Sequence, residues 1–185
     1  MVTLVRTSLA EYLAMEETKP YNELIDGEVI QKTMPSPDHS ASVIELTFQF
    51  SAYLRETREA RVDTEMRHAD RREERGYLPD ISVTLRSRFP KGQRRGAVEI
   101  HPDIAIEVLS PDDRPGRVME KVQFYLRAGV PITWVVDPEG EAIVEYRPGR
   151  EPVRYTAPFV IDVQPVLRAF TLDVGRFFRT IHEGD

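Results

Sequence analysis

Short segments with a regular pattern of hydrophobic residues predict the strands of this chain. Residues 77–85 alternate between hydrophobic and polar positions, with one class on each face: Ile81, Val83 and Leu85 against Asp80, Ser82 and Thr84. Residues 103–109 form the most apolar segment, of the kind found at the centre of a sheet. Residues 60–68 carry a weaker strand pattern. Two hairpins are predicted, one around Asp26-Gly27 and one between residues 132–136 and 142–146.

Helical spacing of hydrophobic residues predicts three helices between these strands. Ser8 and Glu11 have the spacing of a capping box and predict a helix over 9–17. Residues 39–56 place one set of side chains on a single face: Val43, Leu46, Phe50, Tyr53 and Leu54. Residues 117–128 are also helical, and Gly129 and Pro131 end that helix.

The order of these elements predicts an α/β (α+β) fold, a mixed β-sheet flanked by helices. A length of 185 residues without repeats or low-complexity linkers favours one domain over residues 1–185. The chain has no cysteine, which excludes disulfides and thiolate metal sites. No stretch reaches the roughly 18 apolar residues of a membrane span, and the first residues lack a signal-peptide pattern. We therefore expect a cytoplasmic protein.

The net charge of −6 and the pI near 5.4 argue against a protein that coats nucleic acid by bulk electrostatics. They do not exclude an enzyme with a local basic patch. Clustered carboxylates that bind metal ions make the net charge more negative by themselves.

Glu107 interrupts the apolar segment 104–109, where burial of every side chain is expected. A buried carboxylate without a partner costs several kcal/mol or takes up a proton. Strand alternation puts Glu107 on the face of Ala105 and Leu109. The alternative is a glutamate at the end of a sheet that points into solvent.

Lys121 lies on the inward side of the 117–128 helix, beside Phe124 and Tyr125, according to its helical phase. A buried ammonium requires a carboxylate or an anionic ligand. A lysine that extends past its apolar neighbours to water is the alternative.

Asp80 follows a proline at the start of a strand, and by itself it could be an ordinary solvated aspartate. Together with Glu107 it offers two carboxylates, which with a carbonyl oxygen and waters suit octahedral Mg²⁺. Lys121 would then stabilise the attacking hydroxide or the negative charge that develops on phosphate. These three residues are the candidate metal and catalytic site, with Asp80 and Glu107 as the metal ligands.

The sequence resembles the Uma-two family of restriction endonucleases, within the PD-(D/E)XK nuclease-like superfamily. Five motifs in order carry the resemblance: residues 23–28, Pro79-Asp80, residues 106–111, Lys121 with Tyr125, and residues 134–137. It implies a restriction-endonuclease-like core, Mg²⁺-dependent hydrolysis of DNA with Mn²⁺ as a substitute, and a homodimer. Asp80 and Glu107 would match the two acids of the superfamily motif. The usual lysine, two residues after the second acid, is replaced here by Leu109, so Lys121 would supply that charge.

Several other residues are weaker candidates. Glu28 is a possible further acid near the metal or a surface residue beside a turn, and Glu23 is weaker still. His39 could contact water or phosphate, although a histidine in a first helical turn is more often structural. The basic loop 86–96 could contact a nucleic-acid backbone or simply be solvated; its cations are Arg86, Arg88, Lys91, Arg94 and Arg95.

Three hypotheses about the function follow from these residues. The first is a metal-dependent endonuclease acting on DNA. The second is a catalytically inactive module that keeps the nuclease fold for dimerisation or nucleic-acid binding, and Leu109 and the acidic net charge favour it. The third is a metal-dependent hydrolase of a small phosphoester.

Overall fold

The computed structural model describes residues 6–183. Its four helices are α1 (Leu9–Ala14), α2 (Pro37–Thr57), α3 (Pro115–Arg127) and α4 (Val174–His182). The first seven strands are β1 (Asn22–Ile25), β2 (Glu28–Gln31), β3 (Ala60–Thr64), β4 (His68–Asp70), β5 (Arg75–Tyr77), β6 (Ile81–Leu85) and β7 (Ile104–Val108). The remaining five are β8 (Ile132–Asp137), β9 (Ala142–Tyr146), β10 (Val153–Tyr155), β11 (Val160–Asp162) and β12 (Thr171–Asp173).

The central layer is a mixed six-stranded sheet in the order β10-β9-β8-β7-β6-β3. β7 lies near its middle, parallel to β8 and antiparallel to β6. β7 and β8 are buried along nearly their whole length, which explains the continuous apolar run in the sequence. The prediction of a central strand over 103–109 is confirmed.

The two faces of this sheet receive different helices. Ile104, Ile106 and Val108 point into the large core beneath α2 and α4, together with Phe50 and Phe177. Ala105 points the other way and packs against α3, in a smaller cluster formed with Tyr77, Phe124, Tyr125 and Val130. Glu107 shares the face of Ala105, as alternation predicts, so it faces α3.

A second sheet, in the order β2-β1-β5-β4, carries the predicted first hairpin. Its turn contains Asp26 and Gly27, both with positive φ. α1 begins with the predicted capping box between Ser8 and Glu11, but it ends at Ala14 rather than near residue 17. A two-stranded sheet of β11 and β12 precedes α4.

Two predicted strands are each divided between the sheets. The segment 60–68 becomes β3 in the six-stranded sheet, and β4 begins in the other sheet at His68. The break falls beside Glu65, whose φ of 48° turns the chain. The segment 77–85 likewise belongs to two strands, β5 and β6, with residues 78–80 between them. The segment that was predicted as one strand therefore turns at Asp80.

The mixed sheet flanked by helices confirms the predicted fold class. No helix within residues 6–183 is long and apolar enough to cross a membrane.

Gly76 is the position where α1 comes closest to the second sheet. A Cβ atom on Gly76 would lie 2.1 Å from Cε1 of Tyr12. The Tyr12 ring cannot easily move, since it is buried and its hydroxyl donates a hydrogen bond to the Asn22 carbonyl at 2.6 Å. Gly76 also pairs with Leu24, the neighbour of Glu23.

We expect Gly76→Ala to lower the free energy of unfolding by about 1–3 kcal/mol, the usual cost of overpacking. The measurement is urea unfolding of a double-mutant cycle in which the same change is made in a Tyr12→Leu background. The cost should shrink there, because leucine lacks the ring atoms that clash. An equal cost in both backgrounds would contradict the steric explanation.

His68 is buried in β4, where its Nδ1 lies 2.8 Å from the Ile100 carbonyl. Its Nε2 has no hydrogen-bond partner within the described residues. Burial lowers the pKa of His68 to about 4, because a protonated ring would leave an unpaired buried N–H. Its ring stacks on Tyr77, with 5.2 Å between the centroids.

We expect this histidine to weaken the fold as the pH falls. The unfolded chain protonates His68 near pH 6.5 and the folded protein only near pH 4, so up to about 3 kcal/mol of stability is lost across that interval. His68→Asn, which can still donate to Ile100, should lose less stability between pH 7 and pH 4 than the wild type. Urea unfolding at both pH values measures this, and an identical loss in both proteins would refute it.

Candidate functional site

The register of β6 and β7 brings Asp80 and Glu107 to the same end of the sheet. Ile81 pairs with Ile106 in antiparallel fashion, and one further step places Asp80 opposite Glu107. Asp80 Oδ2 accepts a hydrogen bond from the Val108 backbone N–H at 2.8 Å. The two acids predicted to act together are therefore neighbours on adjacent chain segments, and both are buried.

α3 supplies both side chains that bind Glu107. Lys121 Nζ lies 2.7 Å from Glu107 Oε2, and the Tyr125 hydroxyl donates to Oε1 at 2.6 Å. Lys121 and Tyr125 are four residues apart, so they project from the same face of the helix. Glu107 does not point into solvent and Lys121 does not extend to water, the two alternatives considered above. The structure brings Asp80, Glu107 and Lys121 together.

A third acid, Glu23 of β1, completes this cluster. Its Oε1 accepts from the Leu78 backbone N–H at 2.8 Å and lies 3.0 Å from Lys121 Nζ. Lys121 thus lies between Glu23 and Glu107. Glu28 differs: it is exposed on β2 and is not among the residues that line the site. The hairpin register points Glu23, rather than Glu28, to the site.

Lys32 and His39 both contact Asp80. Lys32 Nζ lies 2.6 Å from Asp80 Oδ1 and 3.1 Å from the Leu78 carbonyl oxygen. His39 Nε2 lies 3.4 Å from Asp80 Oδ2. Lys32 carried no signal in the sequence, because it follows a short, half-exposed strand. His39 was expected to be structural. Its contact with Asp80 depends on the first turn of α2 lying beside the start of β6, which the sequence pattern does not show.

The charges in this cluster act on one another strongly because the three acids and Lys121 are buried and Lys32 is largely shielded from solvent. Burial opposes ionisation of Asp80, but Lys32 and a hydrogen bond from His39 outweigh it and hold the pKa of Asp80 far below its usual range. Burial raises the pKa of Glu107, and Asp80 and Glu23 add to the effect, so that Lys121 only partly offsets it. Asp80 is therefore the acid whose charge is best stabilised.

Both lysines of the cluster stay protonated. Burial alone would lower the pKa of Lys32 and of Lys121, but the neighbouring carboxylates reverse this and raise both values. For Lys32 the largest opposing contribution comes from Asp80, and for Lys121 it comes from Glu107. The cluster thus combines three acids with two ammonium groups, and each lysine compensates the carboxylate beside it.

The cluster lies in an open cavity of about 630 Å³. Apolar residues of β2 and α2, among them Ile30 and Val43, line one side, and Arg114 and Arg117 at the start of α3 line another. Neither arginine forms an ion pair or a side-chain hydrogen bond with the residues the structure describes. Such a cavity, with acids inside and free guanidinium groups at its edge, can accommodate a cation and a phosphate group together.

The donor chemistry of the site fits magnesium, because the available ligands are carboxylate and carbonyl oxygens. Within residues 6–183 no three histidine, cysteine, aspartate or glutamate side chains are already grouped as metal ligands. The two lysine ammonium groups contact the oxygens that a metal would use. The site therefore suits magnesium by the type of its ligands, and not by a preformed arrangement of three side chains around a metal position.

The basic loop 86–96 lies away from this cavity. Asp80 precedes the first residue of β6, whereas the loop follows its last residue, Leu85, about 16 Å along the strand. Arg88 is paired with Asp103. None of the five cations of the loop lines the cavity. Arg114 and Arg117, which do, were missed because the sequence places them only in a proline-containing loop and at a helix start.

Comparison with known proteins gives a family match and a similar crystal structure. The Uma2 family model, described as "Putative restriction endonuclease", matches residues 9–175. A crystal structure described as a putative nuclease belonging to DUF820, from Anabaena variabilis, is 31% identical and has a TM-score of 0.85. The match covers 94% of this chain and 98% of that chain. No curated protein matches. The chain therefore belongs to the Uma2 (Uma-two) family, as the motif resemblance predicted.

Proposed function

We propose that this protein is a Mg²⁺-dependent endonuclease that hydrolyses phosphodiester bonds in DNA. The observation that supports it most is the buried cluster of Asp80, Glu107 and Lys121 at the base of an open cavity. Membership of a nuclease family supports the reaction class. Residues 1–185 would act as one domain, and the homodimer that the resemblance implies stays a prediction.

Asp80 and Glu107 would hold the metal, and Glu23 is a further carboxylate within the cluster. A bound Mg²⁺ would supply a Lewis acid and a water of lowered pKa. Mn²⁺, which also prefers oxygen ligands, would substitute for it. The protein contributes the orientation of these acids, through the Val108 N–H on Asp80 and the Tyr125 hydroxyl on Glu107.

Lys121 would balance the negative charge that develops on the phosphate. It takes the part of the lysine that the superfamily places two residues after the second acid, where this chain has Leu109. The ammonium reaches Glu107 from α3 at 2.7 Å, so its position on another element does not remove it from the site. This contact weighs against the hypothesis of an inactive module, which the presence of Leu109 at the usual lysine position favours.

We expect Asp80→Ala, Glu107→Gln and Lys121→Met each to reduce DNA cleavage by on the order of 10²-fold or more, the usual loss when a group that stabilises the transition state is removed. Nicking and linearisation of a supercoiled plasmid in Mg²⁺ or Mn²⁺ measures this. The matched control is Glu28→Gln, which removes an exposed glutamate of the same hairpin and should retain cleavage. Circular dichroism shows whether each variant is folded.

Two results would contradict the proposal. One is full activity in a folded Asp80 or Glu107 variant, and the other is the absence of cleavage by the wild type in every metal tested. Calorimetric titration with Mn²⁺ then separates the readings, because an inactive module should bind no metal. Cleavage of a chromogenic phosphodiester without any action on DNA would favour the small-substrate hydrolase.

We also propose that Arg114 and Arg117, rather than the basic loop, contact the DNA backbone beside the cavity. Changing both to glutamine should weaken DNA binding and reduce the slope of log K against log salt by about 1.8, roughly 0.9 for each lost phosphate contact. Fluorescence anisotropy in EDTA, with a labelled duplex over a range of salt concentrations, measures the slope without cleavage.

The loop provides a control of equal charge. Arg94→Gln with Arg95→Gln removes the same two charges about one strand length from the cavity, and it should leave the slope close to that of the wild type. The opposite result would contradict the proposal. If the salt slope falls in the loop variant and is unchanged in the cavity variant, the loop contacts the DNA backbone.

A further inference from the structure

Lys32 makes the shortest polar contact of Asp80, and that contact is directed at one particular oxygen. Asp80 Oδ2 already accepts the Val108 N–H, whereas Oδ1 is bound by Lys32 Nζ at 2.6 Å. The same ammonium also contacts the Leu78 carbonyl oxygen at 3.1 Å. A carboxylate oxygen and a backbone carbonyl oxygen are the ligands that Mg²⁺ prefers.

This contact is not an ordinary surface ion pair. The Lys32 side chain is 14% exposed and that of Asp80 6%, so solvent screens their attraction little. The backbone of Lys32 is held as well, since its N–H donates to the Tyr21 carbonyl at 2.8 Å. The next residue, Thr33, donates its hydroxyl to Asp113 across the cavity. The backbone N–H of Lys32 and its ammonium group are therefore both held by hydrogen bonds.

We propose that Lys32 is a tethered counter-ion, which occupies Asp80 Oδ1 in the metal-free protein and must leave that oxygen for a divalent cation to bind. This inference rests on the proposed function, because it concerns the metal site of that reaction. It assigns Lys32 a role in setting metal affinity. The role differs from that of Lys121, which lies between Glu23 and Glu107 rather than on Asp80.

Electrostatics gives the two effects of Lys32 opposite signs. Without a metal, removal of the ammonium would leave a buried carboxylate with its main counter-charge missing, which destabilises the fold. With a metal, an ammonium and a divalent cation on the same oxygen repel each other at close range. Lys32 therefore stabilises the metal-free protein and weakens metal binding.

The test is calorimetric titration of the full chain with Mn²⁺, together with thermal unfolding with and without Mn²⁺. The main variant is Lys32→Gln, whose amide can still donate to Asp80 and so preserve the fold. Lys32→Arg keeps a positive charge beside Asp80. Arg117→Gln is the matched control, because it removes one cation that lines the same cavity without touching Asp80.

We expect Lys32→Gln to bind Mn²⁺ at least about fivefold more tightly than the wild type, the lower end of the usual range for coupling between two ligands. Its thermal midpoint should be lower than that of the wild type without metal and should rise more when Mn²⁺ is added. Lys32→Arg should gain no affinity. Arg117→Gln should change the affinity by less than about twofold, since its charge is more distant and better screened.

Equal or weaker Mn²⁺ binding by folded Lys32→Gln would overturn the inference while leaving the proposed function intact, provided the wild type binds. Equal tightening in Arg117→Gln would also overturn it, because the effect would then be one of general charge. Absence of Mn²⁺ binding in all four proteins would refute both. Binding by Lys32→Gln alone would support the inference most directly.

Discussion

The pairing of β6 with β7 is the constraint on which the site depends. Asp80 lies just before β6 and Glu107 lies near the end of β7, and antiparallel pairing puts them opposite one another. A hydrogen bond from the Val108 N–H then fixes the Asp80 carboxylate. Because side chains alternate along a strand, a slip of one residue would turn Glu107 from α3 into the apolar core. The apolar residues of β7 therefore hold the acid in position by filling the other face.

Once the acids are buried, their charges must be compensated within the same small volume. A lone buried carboxylate is too costly to keep ionised, and so is a lone buried ammonium. The protein meets this requirement with lysines from two separate elements, Lys32 after β2 and Lys121 in α3, which reach different acids. The two lysines thereby compensate part of the negative charge of the three acids.

The sequence predicted those parts of the site that break a local pattern. Glu107 is the one charged residue in an apolar strand, and Lys121 lies on the inward side of an amphipathic helix, so strand alternation and helical phase suffice to find them. Lys32 and Glu23 break no pattern. Their roles depend on the second sheet lying beside the first, which is information that no local window contains. For the same reason the sequence pattern predicts a single strand over residues 77–85, although the chain turns between β5 and β6.

α3 carries residues that line the cavity and residues that contact the buried acid Glu107. Arg114, the N-cap residue of α3, and Arg117 in its first turn line the cavity, and the middle of the helix carries Lys121 and Tyr125, which contact Glu107. The helix is anchored through Glu120, which pairs with Arg75 of β5. Since all these side chains project from one short helix, a shift that moved Lys121 would move the arginines with it. A lysine at position 109, directly after β7, would have linked the positive charge only to the acid on that strand. Placed on α3, the same charge is tied to the surface where we propose that DNA binds.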